Sequence, residues 1–159
     1  MKLAEALAER ADLVRRVEQL RTRVVGNARY QEGEDPAEDA AQLLTDAHAD
    51  LDRLEALMGR INKTNATVTL PADGGEPLTL TAALARRDTL RLRHSLVNAA
   101  ADAAAGTDQR GYRQLRSELT MLAALPVREL RARAEELAKE LRLLDTRIQR
   151  ANWEADLLE

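Results

Sequence analysis

The stretch VRELRARAEELAKELRLLDTRIQRANWEADLL, residues 127–158, decides the fold. Leu130, Ala134, Leu137, Leu141, Leu144, Ile148, Ala151, Ala155 and Leu158 recur in it at alternating spacings of four and three, the seam of a helix that lies lengthwise against another helix. Glu135, Glu136, Lys139, Arg142 and Arg150 fill the other faces, so the apolar stripe is narrow and the rest of the helix is solvated. We therefore expect one unbroken rod whose packing seam runs through Leu130, Leu137, Leu141, Leu144 and Ile148. Trp153, with Leu157 four residues on, should anchor its end beneath a neighbouring element.

The whole chain supports a helical reading. Its 159 residues contain no Phe, one Trp and two Tyr although 45% are hydrophobic, so any core must be built from Leu, Val, Ile and Ala. Charged residues make up 32% of the chain, and together with the heptad spacing this points to long helices packed as hairpins. A net charge of -3 supplies no basic field, so nucleic acid is not an expected partner. The absence of cysteine removes disulfides, thiol catalysis and thiolate-bound zinc. The opening MKLAEALAERADL is charged every third or fourth residue, unlike a signal peptide, and no segment reaches the roughly 18 apolar residues of a membrane span. A cytoplasmic location without membrane contact is the expectation.

Upstream, the same spacing appears twice. Leu3, Ala6, Leu13, Val17, Leu20 and Val24 predict a first helix over 2–27, with Arg10 interrupting the seam and reaching to solvent along its aliphatic stem. Ala40, Leu44, Ala47, Leu51, Leu54, Met58 and Ile61 predict a second over about 36–62. Between them lies a run of carboxylates, Glu32, Glu34, Asp35, Glu38 and Asp39, without a base. Two chemistries suit it: a hard cation, held with help from His48, or a helix start with Asp35 as N-cap, Pro36 in the first turn and Glu38 three residues after the cap. The second is the simpler.

Thr67-Val68-Thr69-Leu70 and Leu78-Thr79-Leu80-Thr81 alternate with period two around Gly74-Gly75, the pattern of a β-hairpin at about 67–81. A third helix is expected over about 81–105, ended by Gly106. Arg86, Arg87, Arg91 and Arg93 gather in its first half against the single acid Asp88. Guanidinium forks match phosphate oxygens, so the cluster suits a small anion. It equally suits pairing with carboxylates of the protein itself, with Glu32, Glu34 and Asp35 as counterparts. Residues 107–125 read as a basic loop followed by one more strand or turn.

Four blocks, Asn27-Ala28-Arg29-Tyr30-Gln31-Glu32-Gly33-Glu34, Ile61-Asn62-Lys63-Thr64-Asn65, Leu80-Thr81-Ala82-Ala83-Leu84-Ala85-Arg86-Arg87-Asp88 and Leu144-Asp145-Thr146-Arg147-Ile148-Gln149-Arg150-Ala151-Asn152-Trp153, resemble a small bacterial family of unknown function, some of whose members carry the label septicolysin. The resemblance spans the chain and brings no active site with it. The label implies a secreted, oxygen-labile, pore-forming toxin, and a chain with no thiol to oxidise does not fit that description.

The expected protein is thus mainly α: a single domain of long antiparallel helical hairpins in a coiled-coil-like bundle with one small β-hairpin. Thin hairpins leave apolar surface uncovered, and a closed homo-oligomer would cover it. The expected role is structural or binding, without catalysis and without a cofactor. The alternative is an oligomer with an anion, a divalent metal or an enzyme site at a subunit boundary.

Overall fold

The computed structural model describes residues 1–71, 77–106 and 121–159. Four helices account for most of them: α1 (Leu3–Asn27), α2 (Ala40–Thr67), α3 (Leu80–Ala104) and α4 (Val127–Glu154), with the strands β1 (Thr69–Leu70) and β2 (Leu78–Thr79) between α2 and α3. The mainly α fold with a small hairpin is as the periodicity predicts. The strands pair antiparallel, Thr69 opposite Thr79 and Leu70 opposite Leu78. The Gly74-Gly75 turn and the expected loop and strand within 107–120 lie outside the described residues.

By contacts the chain divides into two compact units, residues 1–80 with 149–159, and residues 81–148. In the first, α1 and α2 form an antiparallel hairpin. Arg53 reaches back to Glu9, Arg16 meets Asp50, and Arg23 meets Glu38 just before α2, so positions rising along α1 meet positions falling toward the start of α2. Leu3, Ala6, Leu13 and Leu20 are buried along α1 while Arg10 is exposed, which matches the expected seam. At the loop end Leu20, Leu43 and Ala47 form a small core closed by Val24.

The second helix differs from expectation in three ways, one being that it runs on to Thr67, past the expected end near 62 and into the first residue assigned to the hairpin. It begins at Ala40 and not at Pro36, because Asp39 is the residue whose carboxylate accepts from the N–H groups of Ala41 and Gln42, at 2.9 and 3.1 Å. Glu38, placed at the third helical position by the sequence pattern, instead pairs with Arg23. The buried stripe is also turned. Leu43, Ala47, Asp50, Leu57 and Ile61 are buried, whereas Leu44, Leu51 and Met58 are 46%, 43% and 39% exposed. Two apolar rows run side by side on α2, and α1 covers the one that contains an acid.

A clasp closes the other end of this unit. Leu3 N–H donates to the Ala155 carbonyl at 3.0 Å and Leu157 N–H to the Met1 carbonyl at 2.9 Å, a bridge that pairs Lys2 with Asp156. The chain must leave the helix to make it, so α4 ends at Glu154 and the seam does not run on to Leu158 as a helix. This corrects the expected anchor. Trp153 is 64% exposed and Leu157 is 8% exposed, because beyond Glu154 the two no longer share a helical face.

In the second unit α3 and α4 run antiparallel. Arg91 approaches Asp145 near one end and Arg131 meets Asp102 near the other, at 3.4 and 2.5 Å. Leu90 and Ala101 from α3 are buried, as are Ala134, Leu137, Leu144 and Ile148 from α4, with Leu130 and Leu141 half-buried. The expected rod is unbroken over Val127–Glu154 and its seam is covered. Gly106, at φ +72°, turns the chain after α3 in the left-handed region that suits glycine.

Candidate functional site

The arginines singled out in the sequence lie on α3, and three of them have partners there or on α4. One turn of helix separates Arg87 from Arg91, so both reach the same carboxylate. Arg91 Nη2 is 3.4 Å from Asp145 Oδ2 and Arg87 Nε 3.9 Å from Asp145 Oδ1. Arg87 also donates from Nε and Nη2 to Asp88 Oδ1 at 3.0 and 2.9 Å. Arg86 Nη2 donates to Glu140 Oε1 at 2.6 Å. Arg93 is exposed. The cluster is a charge ladder along an antiparallel helix pair, with Glu140 and Asp145 supplying acids from the polar flank of the seam. Most of its members are open to solvent, so each pair contributes little by itself.

Glu32, Glu34 and Asp35 lie in the first unit and are exposed. A tight turn carries them: Glu34 N–H donates to the Gln31 carbonyl at 3.0 Å, and Gly33 sits at φ +90°. Glu38 leaves this run for Arg23, whose Nε donates to its two carboxylate oxygens at 3.0 and 3.2 Å. That hydrogen bond, reinforced by the positive charge, holds the Glu38 carboxyl below its ordinary value of 4.5 and raises Arg23. Asn27 ties the corner, accepting from Glu38 N–H at 3.1 Å and donating to the Arg23 carbonyl at 2.9 Å. His48 and Asp52, four apart, are both exposed. Among the described residues no group of three or more carboxylates and imidazoles is placed to hold a metal ion.

Two polar residues that the sequence reading passes over are the most buried polar ones among the described residues. Asp50 is 3% exposed, and its Oδ2 lies 2.7 Å from Arg16 Nε. The Nε–H does not point along that line, so the oxygen has ion-pair proximity without a hydrogen bond. Arg53 Nη1 stands 3.9 Å from Oδ1. Thr64 is fully buried; its Oγ1 donates to the Arg60 carbonyl at 2.8 Å and accepts from Leu158 N–H at 2.9 Å. Beside it Arg60 donates to the Leu158 carbonyl and Lys63 to that of Glu159. The signal for Asp50 is in the sequence: it stands three residues after Ala47 and seven before Leu57, on the buried stripe itself. The signal for Thr64 is the same spacing, three residues after Ile61.

A cavity of about 410 Å³ opens in the second unit where α3 ends, lined in part by Ala100, Ala104, Met121, Leu122 and Leu125. Met121 and Leu122 are 81% and 85% exposed. This described lining is apolar and carries no titratable side chain. What the described residues present is thus ion pairs along helices, a polar clasp at the chain ends and rows of uncovered apolar side chains, with no nucleophile held against a base.

Comparison with known proteins gives a family and a fold relative, both of unknown function. The model of a family described only as being of unknown function, DUF6847, matches residues 10–157. The crystal structure of a functionally unknown conserved protein from Corynebacterium diphtheriae is similar at 37% identity and a TM-score of 0.86, over 99% of this chain and 99% of that one. No curated protein matches.

Proposed function

Because the chain belongs to the DUF6847 family of unknown function, its own surface must supply the reading, and we propose that it is a non-catalytic helical protein that works by associating with itself. One observation carries this: apolar side chains stand outside the fold in rows at helical spacing, Leu44, Leu51 and Met58 on α2 and Leu92 and Leu96 on α3, between 39% and 71% exposed. Single exposed leucines are ordinary; rows of them on a rigid helix are the mark of an interface. On this reading the two units act as one helical domain, the protein is cytoplasmic, and its partner is a further copy of the chain.

The anion-binding alternative fares less well, because Arg86, Arg87 and Arg91 already face Glu140, Asp88 and Asp145, and an anion would have to displace them. The likeness to septicolysin-labelled proteins belongs to the proposal without the toxin activity. The chain has no cysteine, and no helix among the described residues is long and apolar enough to cross a membrane.

Light scattering on the purified chain at micromolar concentration tests the reading. A stable multiple of 17.6 kDa is the expected result, and a monodisperse monomer overturns it.

A further inference from the structure

We infer that the uncovered row on α2 pairs antiparallel with the same row of a second copy across a two-fold axis close to Leu51. This deepens the proposed self-association and rests on it. Successive residues on a helix are about 100° apart, so Asp50 and Leu51 present different faces. Of the two, α2 lays the acid against Arg16 of α1 and turns the leucine outward. A helix that buries a carboxylate while exposing an adjacent leucine has a use for the leucine elsewhere.

The outward face carries a second seam, Leu44, His48, Leu51, Glu55 and Met58, at the same alternating spacing. His48 and Glu55 are both exposed. The row is complementary to its own reverse. A two-fold at Leu51 sets Leu51 against Leu51 of the second copy, Leu44 against Met58, and His48 against Glu55, each of the last two pairings occurring twice. Apolar meets apolar and imidazole meets carboxylate in one register, and the parallel alignment, which sets Glu55 against Glu55, loses that match. Gly59, next to Met58, fits the same picture. Apart from its chain neighbours and the surrounding backbone of its own helix, nothing lies within 4 Å of where its Cβ would stand, so no packing contact calls for a glycine inside this helix, and a second helix can approach closely there.

The natural chain has no cysteine, which makes single-cysteine variants clean reporters. Under mild oxidation Leu51→Cys should form a covalent dimer on the order of a hundredfold faster than Val25→Cys, an exposed position on α1 outside both rows, because a preformed pair holds its thiols at high effective concentration. Leu44→Cys and Met58→Cys should each cross-link slowly alone and rapidly when mixed, the signature of antiparallel register. Glu55→Lys should weaken association by roughly tenfold, and His48→Glu in the same chain should restore it. A protein that sediments as a multimer while Leu51→Cys cross-links no faster than Val25→Cys overturns this interface and leaves self-association standing. A natural chain that sediments as a monomer overturns both.

Discussion

Arg16 and Asp50 face each other across the α1–α2 hairpin with Nε 2.7 Å from Oδ2, the acid's side chain almost completely enclosed and the arginine side chain still 59% open to water. The asymmetry decides what each residue does. Burial of the carboxylate is costly, and a half-solvated arginine offsets the cost only in part. Arg16→Ala leaves the acid enclosed with Arg53 alone nearby, and stability should fall by about 1–2 kcal/mol, less than for a fully buried pair because water already screens the arginine. Asp50→Leu should be neutral or stabilising by up to about 2 kcal/mol. Urea denaturation of both variants checks this, and a large loss for Asp50→Leu would show that the carboxylate is needed for the fold.

The clasp at Thr64 makes a separate prediction. Thr64→Val keeps the shape of the side chain and removes the oxygen that accepts from Leu158 N–H. Stability should drop by about 1–3 kcal/mol, the cost of an enclosed donor left without a partner. Hydrogen exchange at the Leu158 amide should accelerate by more than exchange within α2.

The start of α2 can be tested by a pair of substitutions. Asp39→Ala should cost about 0.5–2 kcal/mol, since it removes the acceptor for two N–H groups of the first turn. Asp35→Ala should change stability by less than about 0.5 kcal/mol. The opposite ranking in thermal melts would place the cap at Asp35, as the sequence pattern suggests.

Acid sensitivity follows from Glu38 and Asp156. Arg23 lowers the Glu38 carboxyl below 4.5, and Lys2 lowers that of Asp156 below 3.8, in each case chiefly by a hydrogen bond. A carboxyl depressed in the folded state contributes stability above its unfolded value and loses it as pH falls through the folded value. The Glu38 contribution should therefore be complete above 4.5 and be lost only as pH falls through the lower value of the folded state. Melting temperature against pH should fall less steeply across that window for Glu38→Gln than for the natural chain.

Much of this fold is legible in the sequence because its signal is periodic. The seams of α1 and α4 stand where the spacing of leucines puts them, and Gly106 ends α3 as its backbone freedom allows. Legibility fails where one residue type has two uses. On α2 the leucines at 43 and 57 compete with those at 44 and 51 for the same neighbour, and periodicity cannot say which row α1 will take. Five carboxylates between Glu32 and Asp39 can each cap a helix on paper, and the choice of Asp39 depends on Glu38 being drawn to Arg23, a contact between residues 15 apart. Trp153 misleads for a similar reason: the chain abandons the helix one residue after Glu154 to pair with Met1–Leu3, and no local pattern announces that partner. The candidate site was legible only as charge. The arginines are visible in the sequence, but their acids on α4 lie some fifty residues away.

The most direct test is sedimentation equilibrium of the natural chain beside Leu51→Glu, a change on the exposed face of α2 that leaves the buried stripe untouched. The natural protein should sediment as a multiple of 17.6 kDa and Leu51→Glu at a lower mass with unchanged helix content. Equal masses for the two would contradict the account.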